Sequence, residues 1–315
     1  MASINKGFIP VSLTGGLAKG GTTLGKIYKG YDLIYDTVPG VGPYVPTNAE
    51  VVAWAAATGI TTDALIEAVD DFVSGCKTDG IWSKFDVVYP FVTDSTDTAT
   101  IKDQFKYNLV DTNSYGLSYT GSSTVGYGGY TNGGTGAMVG TGYNPSTDLG
   151  STSDVHYALY TNSGNPGTDV IDLGGGGGST FSYLICGRTT PANSNQCEVV
   201  IVQGQSCGTT GNSIFTGLFV GTYANPTIES YNTRLWRRGS IVQNDTGTSG
   251  NIANTMLGIG CFYYGNSIIN PTSKTYQFFS AGDHLDSTDV ANFTTRVDNL
   301  QTAVDAIYAT SRAVA

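Results

Sequence analysis

The 315 residues carry a formal charge of −10, 15 Lys and Arg against 25 Asp and Glu, which opposes a phosphate backbone as partner because nucleic-acid affinity rests on clustered basic residues. Only 13% of residues are charged, against about 25% ordinarily, and the 43 glycines are about twice the usual share. With 20 tyrosines this describes an all-β surface of turns and stacked strands and excludes disorder, which needs high charge and few aromatics.

Residues 1 to about 25 scatter glycines among few apolar residues and read as an arm that buries too little to fold alone. Positions 26 to 35 place Ile27 and Tyr28 on one side of Gly30 and Leu33, Ile34 and Tyr35 on the other, a hairpin signal with its turn near Gly30. A lone hairpin is marginal in water, so these five residues are the expected attachment or assembly element, adding to a sheet of their own chain or a neighbour's. Three prolines from Pro39 to Pro46 then form a linker. The expected division is an arm over 1–46 and a second domain over 47–315.

Thr47-Asn48-Ala49-Glu50 fits a capping box opening a short helix stopped by Gly59. A second helix runs from Thr61 or Thr62 to about Lys77, with Leu65, Ile66, Val69, Phe72 and Val73 on one stripe. From Gly80 to Val92 the chain changes character: Trp82, Phe85, Val87, Val88, Tyr89 and Phe91 suit an entry strand, and Pro90, which lacks an N–H, makes it an edge or first strand.

Between about Phe105 and Phe279 many short apolar segments alternate with turn chemistry: Tyr107 to Val110, Met138 to Tyr143, Val155 to Tyr160, Thr180 to Ile185, Val199 to Gln203, Ile214 to Val220, Arg234 to Trp236, Ser240 to Val242, Met256 to Tyr264 and Tyr276 to Phe279. This spacing predicts a mainly β, antiparallel two-sheet jelly-roll sandwich with short N-terminal helices and a C-terminal helix. The run Gly174 to Gly178 has no following Lys-Ser/Thr and no helix to open, so it is a flexible loop or a close approach of backbones, not a phosphate loop. After Ser287, a good N-cap, Val290, Phe293, Val297, Leu300, Val304 and Ile307 form an a/d seam, which either lies in a groove of its own sandwich or faces symmetry mates.

Little here suggests catalysis. No alternating pair of acids marks a glycosidase strand; of the glutamates only Glu198 and Glu229 lie in the β region, where Asp169, Asp172 or Asp283 would be the available partners. His156 and His284 stand far apart, without nucleophile context or zinc-ligand spacing. Cys76, Cys186, Cys197, Cys207 and Cys261 contain no CxxC pair and read as small buried hydrophobes. No cofactor is expected; calcium is the metal that the acidic loops Asp94 to Asp97 or Asp283 to Asp289 would suit. The first dozen residues lack an apolar signal core and no run of eighteen apolar residues occurs, so the expectation is cytoplasmic synthesis without signal peptide or membrane insertion.

Several short motifs occur in a telling order: Phe72-Val73 through Gly80-Ile-Trp-Ser-Lys-Phe-Asp-Val-Val-Tyr-Pro-Phe-Val, then Lys106-Tyr-Asn-Leu-Val-Asp, Gly140-Thr-Gly-Tyr-Asn-Pro-Ser-Thr, His156 on a strand, Leu235-Trp-Arg-Arg-Gly-Ser, and Phe279-Ser-Ala-Gly-Asp-His-Leu. Over roughly residues 65 to 312 this order resembles the concanavalin A-like (laminin-G-like) modules of tailed-bacteriophage virion proteins of tail, collar or head-fibre type. The resemblance implies a non-enzymatic structural protein of a virion, homo-oligomeric and in contact with other virion proteins. The alternative is a carbohydrate-binding receptor protein for cell-surface glycans, with Tyr127, Tyr130 and Tyr143 as sugar-stacking candidates; a glycosidase is the third reading.

Overall fold

The computed structural model describes residues 43–150, 154–162, 167–189, 196–203, 206–210, 215–224, 232–246 and 250–314, together with the backbone of four short strands nearer the amino end. The chain divides into two compact units, Met1–Val45 and Pro46–Ala315. In the first, β1 (Ala18–Lys19) pairs with β2 (Thr22–Thr23), and β3 (Ile27–Lys29) pairs antiparallel with β4 (Asp32–Tyr35). Lys29 stands opposite Asp32, so β3 and β4 face each other as the sequence predicts, and the turn expected near Gly30 lies outside the described residues.

The second unit opens with α1 (Ala49–Thr58) and α2 (Asp63–Thr78). The expected capping box does not form. Asn48 is the N-cap residue and its side chain makes no cap bond. Instead the Asp70 carboxylate of α2 accepts from Thr47 N at 2.9 Å and Asn48 N at 3.0 Å. Glu50, freed from the cap, accepts from Lys77 Nζ at 2.7 Å and the Trp82 indole at 3.2 Å. These bonds lock the two helices to the segment that follows.

That segment makes one 3₁₀ turn and becomes β5 (Phe85–Tyr89), which pairs on one side with the penultimate element of the chain and ends at Pro90. Its other edge is covered by a loop: Asn108 Oδ1 accepts from Val88 N at 2.9 Å, and Leu109 N donates to Val88 O at 2.9 Å. The expected strand Tyr107 to Val110 is this loop, because the Asn108 side chain takes the bonds that a ladder would.

The remaining elements, in order, are α3 (Thr98–Phe105), β6 (Ser118–Thr120), β7 (Ser123–Gly126), β8 (Gly129–Asn132), β9 (Met138–Gly140), α4 (Pro145–Asp148), β10 (Val155–Thr161), β11 (Gly167–Thr168), β12 (Leu173–Gly177), β13 (Thr180–Thr189), β14 (Gln196–Val200), β15 (Cys207–Thr209), β16 (Gly217–Tyr223), β17 (Thr233–Arg237), β18 (Ser240–Asp245), β19 (Gly258–Ile259), β20 (Phe262–Tyr264), β21 (Ser267–Ile269), β22 (Thr275–Gly282) and α5 (Ser287–Val314). They build two sheets. The first runs β18-β17-β16-β10-β22-β8-β7 with β5 also on β22; the second runs β15-β14-β13-β12-β19-β9-β6, with β11, β20 and β21 attached.

The sheets face each other as a concanavalin A-like sandwich. Alternate residues of the first (Tyr157, Leu159, Phe219, Leu235, Phe279) meet alternate residues of the second (Leu173, Leu184, Cys186, Val199, Ile259) in one buried cluster. The five cysteines are buried thiols outside any disulfide. The sheets come close enough that a Cβ on Gly221 would stand 2.3 Å from Val199 Cγ2. The glycine run that reads as a loop or a close approach is a strand, β12, inside the second sheet; glycine carries no side chain to register the alternation that marks strands.

The outer face of the first sheet is roofed by α2 and α5. Phe293 of α5 lies 5.1 Å from Phe85 and 5.8 Å from Phe278, and Phe72 of α2 lies 5.5 Å from Phe278. Val290, Val297, Leu300 and Val304 are buried along the same seam, which thus packs in cis. The cap of α5 is Asp286 rather than Ser287, its carboxylate accepting from Thr288 N and Asp289 N at 2.7 and 2.9 Å. None of the described helices is long and apolar enough to cross a membrane.

Candidate functional site

The outer face of the second sheet carries an aromatic platform. On β13 the inward residues are Ser182, Leu184 and Cys186, so Phe181, Tyr183 and Ile185 point outward. Opposite Tyr183 and Phe181 on β12 stand Gly174 and Gly176. On the far side of that glycine strand β20 runs parallel, with Tyr264 beside Gly176. The rings of Phe181, Tyr183, Phe262 and Tyr264 lean over the glycines. Phe262 stands edge-on to Phe181 (6.5 Å, 89°) and Tyr183 (6.3 Å, 82°), Phe181 and Tyr183 lie parallel (6.1 Å, 10°), and Tyr264 tilts against Phe262 (5.7 Å, 29°). A Cβ on Gly174 would come 2.7 Å from Phe262 Cδ2, so a side chain there would occupy the space the ring uses. Phe181, Tyr183 and Tyr264 are half-buried, and Phe262 between them is buried.

A polar cluster borders the platform on β13 and β14. Arg188 Nη2 donates to Glu198 Oε2 at 3.0 Å and Arg188 Nε to Gln196 Oε1 at 3.0 Å; Gln196 Nε2 donates to Glu198 Oε2 at 2.9 Å, and Ser206 Oγ donates to Glu198 Oε1. Burial, and then the neighbouring Glu198 carboxylate, pushes the Tyr183 phenol well above its ordinary pKa, so it stays a neutral donor. Glu198 is therefore held by an arginine, an amide and a hydroxyl, none of them a second carboxylic acid.

The other candidate acids sit elsewhere. Asp172 lies in the core, bonded to Lys274, Tyr276 and the Cys186 N–H. Asp169 is in an exposed loop at φ 50°, and Glu229 is outside the described residues. Asp283 follows β22, and its backbone carbonyl bonds His156 Nδ1 at 2.6 Å. His156 is wholly buried between Phe85 and Phe293, a core residue. The acidic loops serve as caps: Asp94 accepts from Thr61 N and Thr62 N at the start of α2, and Asp97 from Thr100 N at the start of α3. No group of three or more His, Cys, Asp or Glu suited to a metal ion occurs among the described residues.

Two of the three predicted sugar-stacking tyrosines are corrected by their burial. Tyr130 is fully buried and donates to Asn132 Oδ1 at 2.8 Å; Tyr143 is fully buried and donates to Asp86 Oδ2 at 2.8 Å. Neither has a ring face to offer a ligand. Tyr127 is half-buried and stacks on Tyr308 of α5 at 4.6 Å. The predicted attachment residues Ile27, Tyr28, Leu33, Ile34 and Tyr35 all lie on β3 and β4; their side chains are outside the described residues. The platform residues went unnoticed in sequence because β13 is apolar on both faces, and alternation then cannot say which face is wet.

No protein-family model matches the sequence, and no curated protein matches it. Among solved structures, the chain is similar to domain 4 of AbnA, an extracellular arabinanase from Geobacillus stearothermophilus, in complex with arabinotriose (TM-score 0.45, 11% identity, 67% of this chain and 98% of that one). It is also similar to the Trypanosoma rangeli sialidase in complex with sialic acid (TM-score 0.45, 8% identity, 69% of this chain), of whose length it spans 34%. A mutant of that sialidase displaying trans-sialidase activity gives a TM-score of 0.47 at 8% identity, over 75% of this chain and 39% of that one. At TM-scores below 0.5 these likenesses carry no argument about ligand or chemistry.

Proposed function

We propose that the sandwich is a non-enzymatic carbohydrate-binding module whose sugar face is the Phe181, Tyr183, Phe262 and Tyr264 platform. The observation that carries this reading is the set of four rings gathered over a glycine floor on the outer face of the second sheet. A pyranose presents an apolar C–H face and a ring of hydroxyls; half-exposed aromatics suit the first, and tyrosine hydroxyls with the Arg188, Gln196 and Glu198 border suit the second. Glycoside hydrolysis calls for two carboxyl groups about 5–9.5 Å apart, and at Glu198 the neighbouring positions are filled by Arg188, Gln196 and Ser206 instead. The test is a multivalent glycan array, followed by affinity electrophoresis against the polysaccharides that score. Phe181→Ala/Tyr183→Ala/Tyr264→Ala should lose at least tenfold in affinity while melting as a folded protein. An array without hits, or a triple variant that binds like the wild type, would remove the reading.

A second reading concerns where the module is displayed, and the separate unit Met1–Val45 favours it. The strands described in it form two-stranded sheets, too small to be stable alone and suited to adding to a neighbour's sheet. The arm would fix a homo-oligomeric sandwich to other proteins of a bacteriophage particle, as the motif resemblance implies. Deleting residues 1–45 should leave a soluble sandwich that no longer joins particles; incorporation of the truncated chain at wild-type level counts against it.

A further inference from the structure

The register of the second sheet extends the aromatic platform across four strands. Tyr183 of β13 stands opposite Gly174 of β12, and Phe181 opposite Gly176. β20 follows on the other side of β12, and Phe262 of β20 stands opposite Ile269 of β21. Directly opposed residues share a face, so Ile269, 37% exposed, continues the row begun by Tyr183 and Phe262. From β13 to β21 there are three inter-strand steps, roughly 14 Å in all. The polar border on β14 flanks β13, and Ile269 stands on the far side. The result is an apolar strip longer than one sugar ring, running across the strands.

The rings of the strip are not coplanar. Phe181 and Tyr183 lie within 10° of parallel, Phe262 stands at 89° and 82° to them, and Tyr264 is tilted only 29° from Phe262. The plane of Tyr264 is therefore more than half a right angle away from those of Phe181 and Tyr183. The buried Phe262 ring between them holds that angle. A crystalline polysaccharide presents a flat face, which calls for ring faces in one plane, and these three half-buried rings cannot all lie against it. A single chain rotates about its glycosidic bonds, so successive sugars can meet rings of different tilt. Charge narrows the ligand further. Arg188, the cation of the border, is paired with Glu198 at 3.0 Å and bonded through Nε to Gln196, and the protein as a whole carries −10. An acidic glycan would have to take Arg188 from Glu198 while approaching an acidic protein. Sugar hydroxyls need only donors and acceptors, and the neutral Tyr183 phenol supplies both.

We infer that the ligand of this face is a single uncharged oligosaccharide chain in solution, at least two sugars long and laid across the strands from Tyr183 toward Ile269, and neither a crystalline polysaccharide surface nor an acidic glycan; this rests on the carbohydrate-binding reading of the platform. One sugar packs its C–H face on Phe181 and Tyr183, and a later one meets Tyr264 and Ile269. Ile269 is then a specificity-determining residue: it adds contact only for a ligand long enough to reach β21.

The experiment is calorimetric titration of the full chain with cello-, xylo-, manno- and chito-oligosaccharides of one to six sugars, beside sedimentation with microcrystalline cellulose and chitin and affinity electrophoresis in polygalacturonate. At least one neutral series should bind, with affinity rising tenfold or more from the monosaccharide to the tetrasaccharide, and the protein should stay in the supernatant over both crystalline solids and migrate unretarded in polygalacturonate. Ile269→Ser, a change at an exposed position, should lower tetrasaccharide affinity several-fold and leave the disaccharide unchanged. Retention on a crystalline solid, a preference for polygalacturonate, a monosaccharide bound as tightly as the tetrasaccharide, no binding to any of the four series, or full tetrasaccharide affinity in Ile269→Ser would each overturn the inference. The glycan array separates its failure from that of the wider reading: hits on the array with any of these outcomes leave the platform a sugar site of another kind, whereas an array without hits removes both.

Discussion

Lys274 Nζ lies 3.0 Å from Asp172 Oδ2, with the side chains 2% and 0% exposed. The two residues precede β22 and β12, so this buried ion pair fastens one sheet of the sandwich to the other. Both charges are fully served: Asp172 also accepts from Tyr276 OH and Cys186 N, each at 2.7 Å, and Lys274 Nζ donates to Gly187 O at 2.6 Å. Breaking such a pair from one side leaves a buried charge with no counter-charge. Lys274→Met should therefore cost about 3–5 kcal/mol in urea unfolding, whereas Lys274→Met with Asp172→Leu should recover much of that loss. A double variant no better than the single would mean that the hydrogen bonds of Asp172, and not its charge, hold the sheets.

His156 gives the fold an acid limit. Desolvation in the core, between Phe85 and Phe293, lowers its pKa to about 4; the carbonyl of Asp283 opposes this and His284 and Lys84 add to it. The unfolded imidazole titrates near 6.5, so as pH falls the unfolded chain takes the proton first. The contribution of neutral His156 is fully present above about pH 6.5 and erodes between 6.5 and 4, by about 3 kcal/mol in all. Urea unfolding from pH 8 to 4 should show this slope in the wild type and a shallower one in His156→Gln, the carboxylates being common to both. Parallel curves would mean that His156 takes its proton as readily in the folded chain as in the unfolded one.

How much of this was legible in sequence depended on whether a side chain carried the signal. The seam of α5 was visible because Val290, Phe293, Val297, Leu300 and Val304 repeat with the helix, and all are buried on their own sandwich. β5 was visible as an edge strand because Pro90 stops its ladder. β12 was ambiguous because its glycines have no pattern, although their emptiness is what admits the rings of β13 and β20. Tyr130 and Tyr143 looked like ligands' partners because composition cannot tell a core tyrosine bonded to Asn132 or Asp86 from one facing water.

A phenol helps to tie the last turns of α5 to the body. Tyr308 OH accepts the buried Thr93 N–H at 2.9 Å, and its ring stacks on Tyr127 at 4.6 Å. Tyr308→Phe keeps the ring and strands the N–H, so it should cost about 1–3 kcal/mol. Tyr308→Ala also loses the packing and should cost about 3–5 kcal/mol. Hydrogen exchange at the Thr93 amide is the specific readout: it should accelerate in Tyr308→Phe by more than global stability accounts for. Equal protection in the two proteins would assign the stability of this end to stacking alone.

The glycine floor separates the platform's shape from the fold's stability. At Gly174 an added Cβ would meet the Phe262 ring at 2.7 Å, which can move, with Tyr183 Cβ and Ser182 O next at 3.0 and 3.1 Å; at Gly176 it would meet Thr180 O at 2.6 Å, part of the β12–β13 ladder, which cannot. Gly174→Ala should thus fold, at a cost of about 1–3 kcal/mol for overpacking, with Phe262 displaced toward solvent and the edge-on contacts to Phe181 and Tyr183 opened. Gly176→Ala should cost more, because backbone has to shift. Near-ultraviolet circular dichroism will report the ring movement, and affinity electrophoresis its effect on polysaccharide. If sugars lie across these rings, Gly174→Ala lowers affinity several-fold without touching any polar group. Unchanged affinity with an altered aromatic spectrum would put the sugar contact on Phe181 and Tyr264 and leave Phe262 as the post that holds them apart.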